Sequence, residues 1–410
     1  MWDAVAARTI QTHIILALST ADVLGMTETD WHVGHHGAHG CRLGCLIKGR
    51  HKPHTGHYFA VHLKPVNYTV HDCNHPDFQI CDINVLSCDN YEHNLFKVVA
   101  STDQTDYERN CKETRISKPS ILSGLVTGLM FSVPCCFPLD LMHLLFINLG
   151  ELLIPLWRGT LQCDSMDDIS NWDWAKLTGD VWQSHGQLVT DARPFFPSSF
   201  HCPPCNPAEK ISSGYEATEY YHYLFRLRPG YFHAVLPLKY WKSYCRLVHS
   251  VRIITQQCIL GTQLQEAHLC LVQFVEEYEL LYYQCWPDCI HFCQPCIHTL
   301  LHACPEVIRV GSEAYSTQIH DGVHNQEPWP GNQTTIKFIC KSCSMCSLAL
   351  TDQRTQEHPS GVGSNSSTTT PKICKWPWRR LHIVVTKGQA SCADFGASSW
   401  SYFSHERWYH

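Results

Sequence analysis

The stretch Pro134-Cys-Cys-Phe-Pro-Leu-Asp140-Leu-Met-His143, continued by an apolar run to Trp157, constrains the fold more than any other part of the chain. Pro138 pre-sets a first helical turn, and Asp140 then sits near a helix N-terminus, where the dipole favours a carboxylate. His143 follows three residues on. Acid and imidazole therefore share one face of a helix otherwise built from Leu139, Leu141, Met142, Leu144, Leu145 and Phe146. Two polar groups on the buried side of a helix find partners. Two readings stand open: a structural Asp–His pair that orders the core, or a pair that shares a metal ion.

A hydrophobic content of 44% over 410 residues allows a sizeable core in two or three domains. The formal charge of −6 gives no global basic footprint, which argues against strong non-specific nucleic-acid binding. Met1 leads into Trp2-Asp3 without the basic and apolar regions of a secretory signal, so secretion is not expected. Ile121–Phe137 is the one candidate membrane span. It is marginal in length and ends at Pro134 and two cysteines before Asp140, so it reads as a buried segment, and no membrane partner is expected. Cysteine (24) and histidine (28) are far above ordinary usage, against 31 for lysine and arginine together. Disulfides suit secreted chains; in the cytosol or nucleus the same residues point to zinc.

In chain order, Ile14–Leu18 reads as a buried strand ending in Ser19-Thr20-Ala21-Asp22. An acid at a strand exit is a place for a metal-binding carboxylate, and equally for a helix cap. Residues 31–90 are loop-rich and dense in His and Cys. Cys41 and Cys45 form a tight C-x3-C knuckle, followed by His57, His62, His71, Cys73 and His75. A cysteine pair with later His or Cys ligands suits tetrahedral zinc, which closes modules too small to have a core; the alternative is a loop in which these residues are incidental. From 205 to 305 the pattern is helical. Leu264, Ala267, Leu271, Phe274, Val275, Tyr278, Leu281 and Tyr282 form one core stripe between Gln263 and Gln284, with further helices over Lys239–Ile254 and Cys289–Ala303. Beyond about Tyr315 periodicity fades, Ser360–Thr370 is of low complexity, and Cys340, Cys343 and Cys346 stand without a second ligand pair nearby.

Several of these segments, with others, succeed one another in a familiar order. They are Leu-Ser-Thr-Ala-Asp22, Gly34-His-His-Gly-Ala-His-Gly-Cys41, Cys136-Phe-Pro-Leu-Asp140-Leu-Met-His143, Leu156-Trp-Arg-Gly-Thr160, Trp172-Asp-Trp-Ala175, Leu177-Thr-Gly-Asp180-Val-Trp182, Asn206-Pro-Ala-Glu-Lys210 and Phe274-Val-Glu-Glu277. That order resembles the transposases of CACTA (En/Spm-type) DNA transposons, in the form abundant in mushroom-forming fungi, over roughly residues 1–315. The resemblance implies an RNase-H-like core with a zinc-bearing insertion and a helical insertion. It also implies DNA cutting and joining by a DDE carboxylate triad around two Mg²⁺ ions, a chemistry for which the three acids must converge. It carries Asp22 over as the second acid, although the family's Thr-Gly-Asp-Ile-Pro-type stretch reads here Ala21-Asp-Val-Leu-Gly25. Asp140 and His143 match an Asp-x-x-His motif that supports the site. Cys41 and Cys45 match the zinc knuckle, with His57 as a further ligand; Cys73 is the remaining metal candidate of the segment.

The first acid lies, in the family, upstream of the position matching Trp2-Asp3, and Asp3 aligns with a helix residue. The last acid should follow Tyr315 in a Trp-Thr-Met-Glu-Arg-like stretch, which is missing. One legal set of codons for residues 325–338, read one base later, gives Asn-Leu-Gly-Gln-Glu-Ile-Arg-Gln-Pro-Ser-Asn, close to the family's continuation. The tail is therefore expected to be an out-of-frame translation. Cys202, Cys205, Cys258, Cys285 or its neighbour, Cys289 and His249 stand where the family commonly has Arg or an Arg-like residue. Cytosine decay of CGN codons accounts for the excess of Cys and His, and it removes phosphate contacts from a DNA-directed protein.

The expectation is a helix-dominated α+β chain in four parts. Residues 1–30 are a fragment of an incomplete RNase-H-like core and 31–90 a Cys/His-rich zinc-knuckle insertion. Residues 91–315 are a helical region with the Asp-x-x-His motif, and 316–410 an irregular tail. The expected function is that of a transposase remnant with ancestral Mg²⁺ and DNA partners, now inactive, nuclear if it functions at all. The alternative is a domesticated zinc-containing module that binds DNA or protein.

Overall fold

The computed structural model describes residues 2–3, 8–9, 14–21, 23–43, 45, 47–80, 83, 88–125, 129–161, 167–197, 202–256, 258–311 and 335–340. The strands are β1 (Trp2–Asp3), β2 (Arg8–Thr9), β3 (Ile14–Thr20), β4 (Arg50–His51), β5 (Tyr58–Phe59) and β6 (Thr335–Cys340). They pair antiparallel as β1–β2, β3–β6 and β4–β5. The helices are α1 (Val23–Asp30), α2 (Cys88–Val99), α3 (Gln104–Thr114), α4 (Leu149–Arg158), α5 (Gly179–Ala192), α6 (Pro207–Lys210), α7 (Ala217–Tyr221), α8 (Arg228–His233), α9 (Leu238–Ile254), α10 (Gly261–Tyr278) and α11 (Pro295–Val310). The architecture is thus α+β with helices dominant. Asp3, expected to match a helix residue, lies in a strand. Of the tail expected to be irregular, only Thr335–Cys340 is described, and it is a strand against β3 with a bulge between Leu16 and Leu18.

The helical body follows its period of 3.6. On α10, Leu264, Ala267, Leu271, Phe274, Val275 and Tyr278 are buried, as the stripe requires. Arg246 on α9 pairs with Glu277 on α10, while His249 pairs with Glu266, so the two helices run antiparallel. The stripe then continues through a wider turn, Glu279–Tyr283, and stops at Gln284, whose φ of 55° is left-handed. The helix expected over Cys289–Ala303 is broken. A tight turn over Pro287–Phe292 precedes α11, and Pro295 at the first position of α11 has no N–H with which to continue an earlier helix.

The leading stretch behaves similarly. Pro138 does not open the helix, which begins at Leu141. Asp140 instead caps it: Oδ1 accepts the His143 N–H at 3.0 Å and the Asp140 carbonyl accepts the Leu144 N–H at 3.0 Å. A wide turn over His143–Asn148 leads into α4, which ends at Gly159 with φ 63°, a left-handed closing position that glycine takes without steric cost. Leu144, Leu145, Leu149, Leu153, Leu156 and Trp157 from this run enter the main core, with side chains of α9, α10 and α11. Cys45, Ile47, Phe59, Val61, Ile80 and Ile83 join the same core, so the Cys/His-rich segment is packed on the helical body. A second, smaller cluster gathers Met26, Tyr91, Val98, Ile116, Val133, Cys136 and Phe137. No helix among the described residues is long and apolar enough to cross a membrane.

Candidate metal centre

The Cys41–Cys45 knuckle is shaped by its glycines. A side chain on Gly40 would collide with the His35 carbonyl, so only glycine lets the chain turn Cys41 inward there. The loop is then tied to the β4–β5 ribbon, with Gly49 N donating to Ala38 O at 2.6 Å and Tyr58 N to His36 O at 3.1 Å. From the opposite side, α11 presents His298 and His302, which its pitch stacks on one face four residues apart.

These four residues meet. Cys41 Sγ lies 3.4 Å from His302 Nε2, Cys45 Sγ lies 3.1 Å from His298 Nε2, and the two Nε2 atoms are 3.3 Å apart. All four ligand atoms fall within 4.8 Å of one another. A zinc tetrahedron has edges of about 3.3–3.4 Å between nitrogens, about 3.6 Å between nitrogen and sulfur and about 3.8 Å between sulfurs. The nitrogen–nitrogen separation matches its edge, and the two sulfur–nitrogen contacts are shorter than theirs. The group is a Cys2His2 set able to hold a metal ion, and its donors suit zinc. Among the described residues it is the one such cluster of three or more His, Cys, Asp or Glu ligands.

The electrostatics prepare for a cation. The Cys45 thiol hydrogen-bonds Cys41, and with His302 and His298 beside it this holds the Cys41 thiol well below the ordinary cysteine value. The same hydrogen bond, burial and the neighbouring thiolate push Cys45 well above it. A metal binds both sulfurs as thiolates and releases the protons they carry. Burial opposes a proton on His302, but the Cys41 thiolate wins and raises it. Buried Arg115, donating from Nη1 to the Cys45 carbonyl at 2.6 Å, pulls the other way on Cys45 by favouring its thiolate.

Of the four sequence candidates for metal, the structure brings Cys41 and Cys45 together and leaves the other two elsewhere. The His57 ring is stacked 4.4 Å from Phe59 and lies 3.7 Å from the His36 ring. Cys73 Sγ is 2.8 Å from the Tyr68 hydroxyl. Sequence reasoning missed His298 and His302. The available signal was the H-x3-H spacing within a helix, which complements C-x3-C in a Cys2His2 site.

Among the catalytic candidates, His143 Nδ1 donates to Asp140 Oδ2 at 2.7 Å, so the acid and imidazole hydrogen-bond each other and the ring is oriented. Both oxygens of Asp140 are engaged by His143. Helix α11 also grips the approach to this turn: Leu139 N donates to Glu306 Oε2 at 3.2 Å and Arg309 Nη1 to Cys135 O at 2.6 Å. Strand β3 reaches the same segment through Ser19 N and Cys136 O, 2.8 Å apart. Asp22 lies outside the described residues.

One buried acid stands behind the metal group. Glu279, 1% exposed, accepts the His62 N–H on Oε1 and the Leu63 N–H on Oε2, each at 2.8 Å. Burial pushes its carboxyl up to about 7 against the pull of those two N–H groups and Arg50. A folded pKa above the unfolded value of about 4.3 means that the native state binds the proton more tightly. Its stabilising contribution is complete below the unfolded pKa and is lost as pH rises through about 7. Between pH 5 and 8 the unfolding free energy of the wild type should fall by about 2–3 kcal/mol more than that of Glu279→Gln. Urea titrations of both chains at each pH measure this, and parallel pH profiles would contradict it.

No family model, curated protein or solved structure matches the chain.

Proposed function

We propose that this chain is a zinc-fastened remnant of a CACTA-type transposase that no longer cleaves or joins DNA. The observation that carries the reading is the Cys2His2 group, in which a knuckle from the 31–90 segment meets an imidazole pair on α11. Four protein ligands leave a tetrahedral ion no open position, so the centre is structural and fastens the Cys/His-rich insertion to the helical body. A zinc-bearing insertion beside a helical one is what the family resemblance implies. Two-metal strand transfer instead needs converging carboxylates. Among the described residues the clustered ligands are thiolate and imidazole, and Asp140 is occupied with orienting His143. The RNase-H-like core, with Asp22 as a surviving acid, belongs to the same reading.

Purified full-length chain should contain one zinc per molecule by elemental analysis. It should release no product from labelled DNA duplexes in Mg²⁺ or Mn²⁺. Robust cleavage or joining would overturn the inactive assignment, and metal-free protein that is fully folded would overturn the zinc assignment. A second reading, a zinc-containing binding module, is favoured by one feature. A cleft of about 400 Å³ is lined by Phe195, Phe196, Pro197, Tyr231 and Arg226, and the Phe195 side chain beside it is 85% exposed. Aromatic and guanidinium groups of this kind stack on bases. Salt-dependent binding to single-stranded DNA, lost in Phe195→Ala, is the result that would promote it.

A further inference from the structure

We infer that His62 is a positioning residue for the metal centre, holding His298 by accepting a hydrogen bond from its Nδ1. The inference rests on the zinc reading above and extends it one shell outward.

His298 directs Nε2 at the cysteines, 3.1 Å from Cys45 Sγ. An imidazole that gives Nε2 to a cation must carry its proton on Nδ1, and that N–H then needs an acceptor. His298 Nδ1 lies 3.3 Å from His62 Nε2. His62 is therefore the acceptor and carries its own proton on Nδ1. That nitrogen is buried and has no hydrogen-bond partner among the described residues, an uncommon condition that structures keep when the rest of the ring is needed. His62 is 4% exposed, so its ring is shielded from water at this contact.

The backbone shows how the ring is aimed. Glu279 takes the N–H groups of His62 and Leu63 with its two oxygens, and the Tyr283 hydroxyl donates to Leu63 O at 3.1 Å. Both anchors come from the wide turn that closes α10. The chain of contacts therefore runs from that turn, through the 62–63 backbone and the His62 ring, to a metal ligand on α11. An acceptor at this place fixes the tautomer and orientation of His298, and loss of such partners weakens metal affinity by roughly 10–100-fold.

The test uses full-length chain, with Co²⁺ as the probe in chelator competition and by visible absorption. His62→Leu keeps the volume but cannot accept a hydrogen bond, and it should bind Co²⁺ about 10–100-fold more weakly with shifted d–d bands. His62→Gln restores an acceptor oxygen and should recover most of the affinity and the spectrum. Equal affinity and spectra in wild type and His62→Leu would overturn the inference while leaving the zinc centre intact. A wild-type chain that takes up no Co²⁺ or Zn²⁺ would overturn both. A measurement without folding risk uses ¹⁵N-histidine-labelled, zinc-loaded wild type. The imidazole resonances identified as His62 by their loss in His62→Gln should report a proton on Nδ1. A proton on Nε2 would overturn the inference.

Discussion

A His302→Ala chain should hold no zinc and should lose the 31–90 segment from the folded body. His302 supplies one of four ligands, and its Nε2 touches both Cys41 and His298. With three ligands left, a water must complete the tetrahedron, and without its fourth protein donor the site binds zinc far more weakly. Structural zinc supplies about 10–16 kcal/mol in peptides that have no core of their own. This segment does have apolar anchors, Ile47, Phe59, Val61, Ile80 and Ile83, in the main core. The expected local loss is therefore smaller, on the order of 5–10 kcal/mol. Hydrogen exchange should report it as fast exchange across residues 31–90 while α9 and α10 stay protected. Zinc content should fall from one per chain to none. His57→Ala and Cys73→Ser should leave it at one, because neither side chain reaches the group. Retained zinc in His302→Ala, or zinc loss in the two controls, would refute the ligand assignment.

Much of this could be read before any coordinates, and the reasons are local. The apolar stripe of α10 is written in a period of 3.6, so its buried face follows from spacing alone. Asp140 and His143, three residues apart, do find each other at 2.7 Å, though the acid reaches the ring as the helix's cap rather than from a shared buried face, and both side chains are only half-buried. The knuckle of Cys41 and Cys45 is likewise a short-range device. Its partners are another matter, because the sulfur–nitrogen contacts join residues 261 and 253 positions apart. Nothing local marks which histidines travel that far. His57 and Cys73 are the nearer choices along the chain, but the β4–β5 ribbon points His57 at Phe59, and Tyr68 takes Cys73. His298 and His302 were hidden by company, since their helix buries Ile297, Leu300, Leu301 and Ala303 around them and reads as plain core. Proline misled in two directions. Pro138 signals a helix start that the Asp140 side chain takes over, whereas Pro295 ends one helix pattern and begins another inside what looks like a single run.

Trp157→Ala should produce the opposite phenotype to His302→Ala: a destabilised helical body that still carries its zinc. Trp157 is 1% exposed and sits where several elements converge. Its ring meets Phe232 edge-on at 4.9 Å and Tyr244 at 5.1 Å, and its Nε1 donates to the Tyr282 hydroxyl at 2.9 Å. Its carbonyl accepts the Leu177 N–H at 2.9 Å, tying the segment before α5 to the end of α4. Truncation to alanine removes the indole from a close-packed region that can collapse only in part, at about 3–5 kcal/mol. It also strips the buried Tyr282 hydroxyl of the indole donor. Trp157→Phe keeps most of the volume and should cost less, about 1–3 kcal/mol, with the unpaired hydroxyl as a main contribution. Tyr282→Phe in that background should then recover part of the loss, because removing both partners of a buried hydrogen bond is milder than removing one. Chemical unfolding of wild type, Trp157→Phe, Tyr282→Phe and the double variant closes the cycle, with Trp157→Ala measured beside them. A Trp157→Ala cost below about 1 kcal/mol would mean that the apolar run from Leu141 to Trp157 is not the centre of the core. The metal group draws its ligands from the knuckle and α11 and none from α4, so zinc content should stay at one per chain in every member of the series.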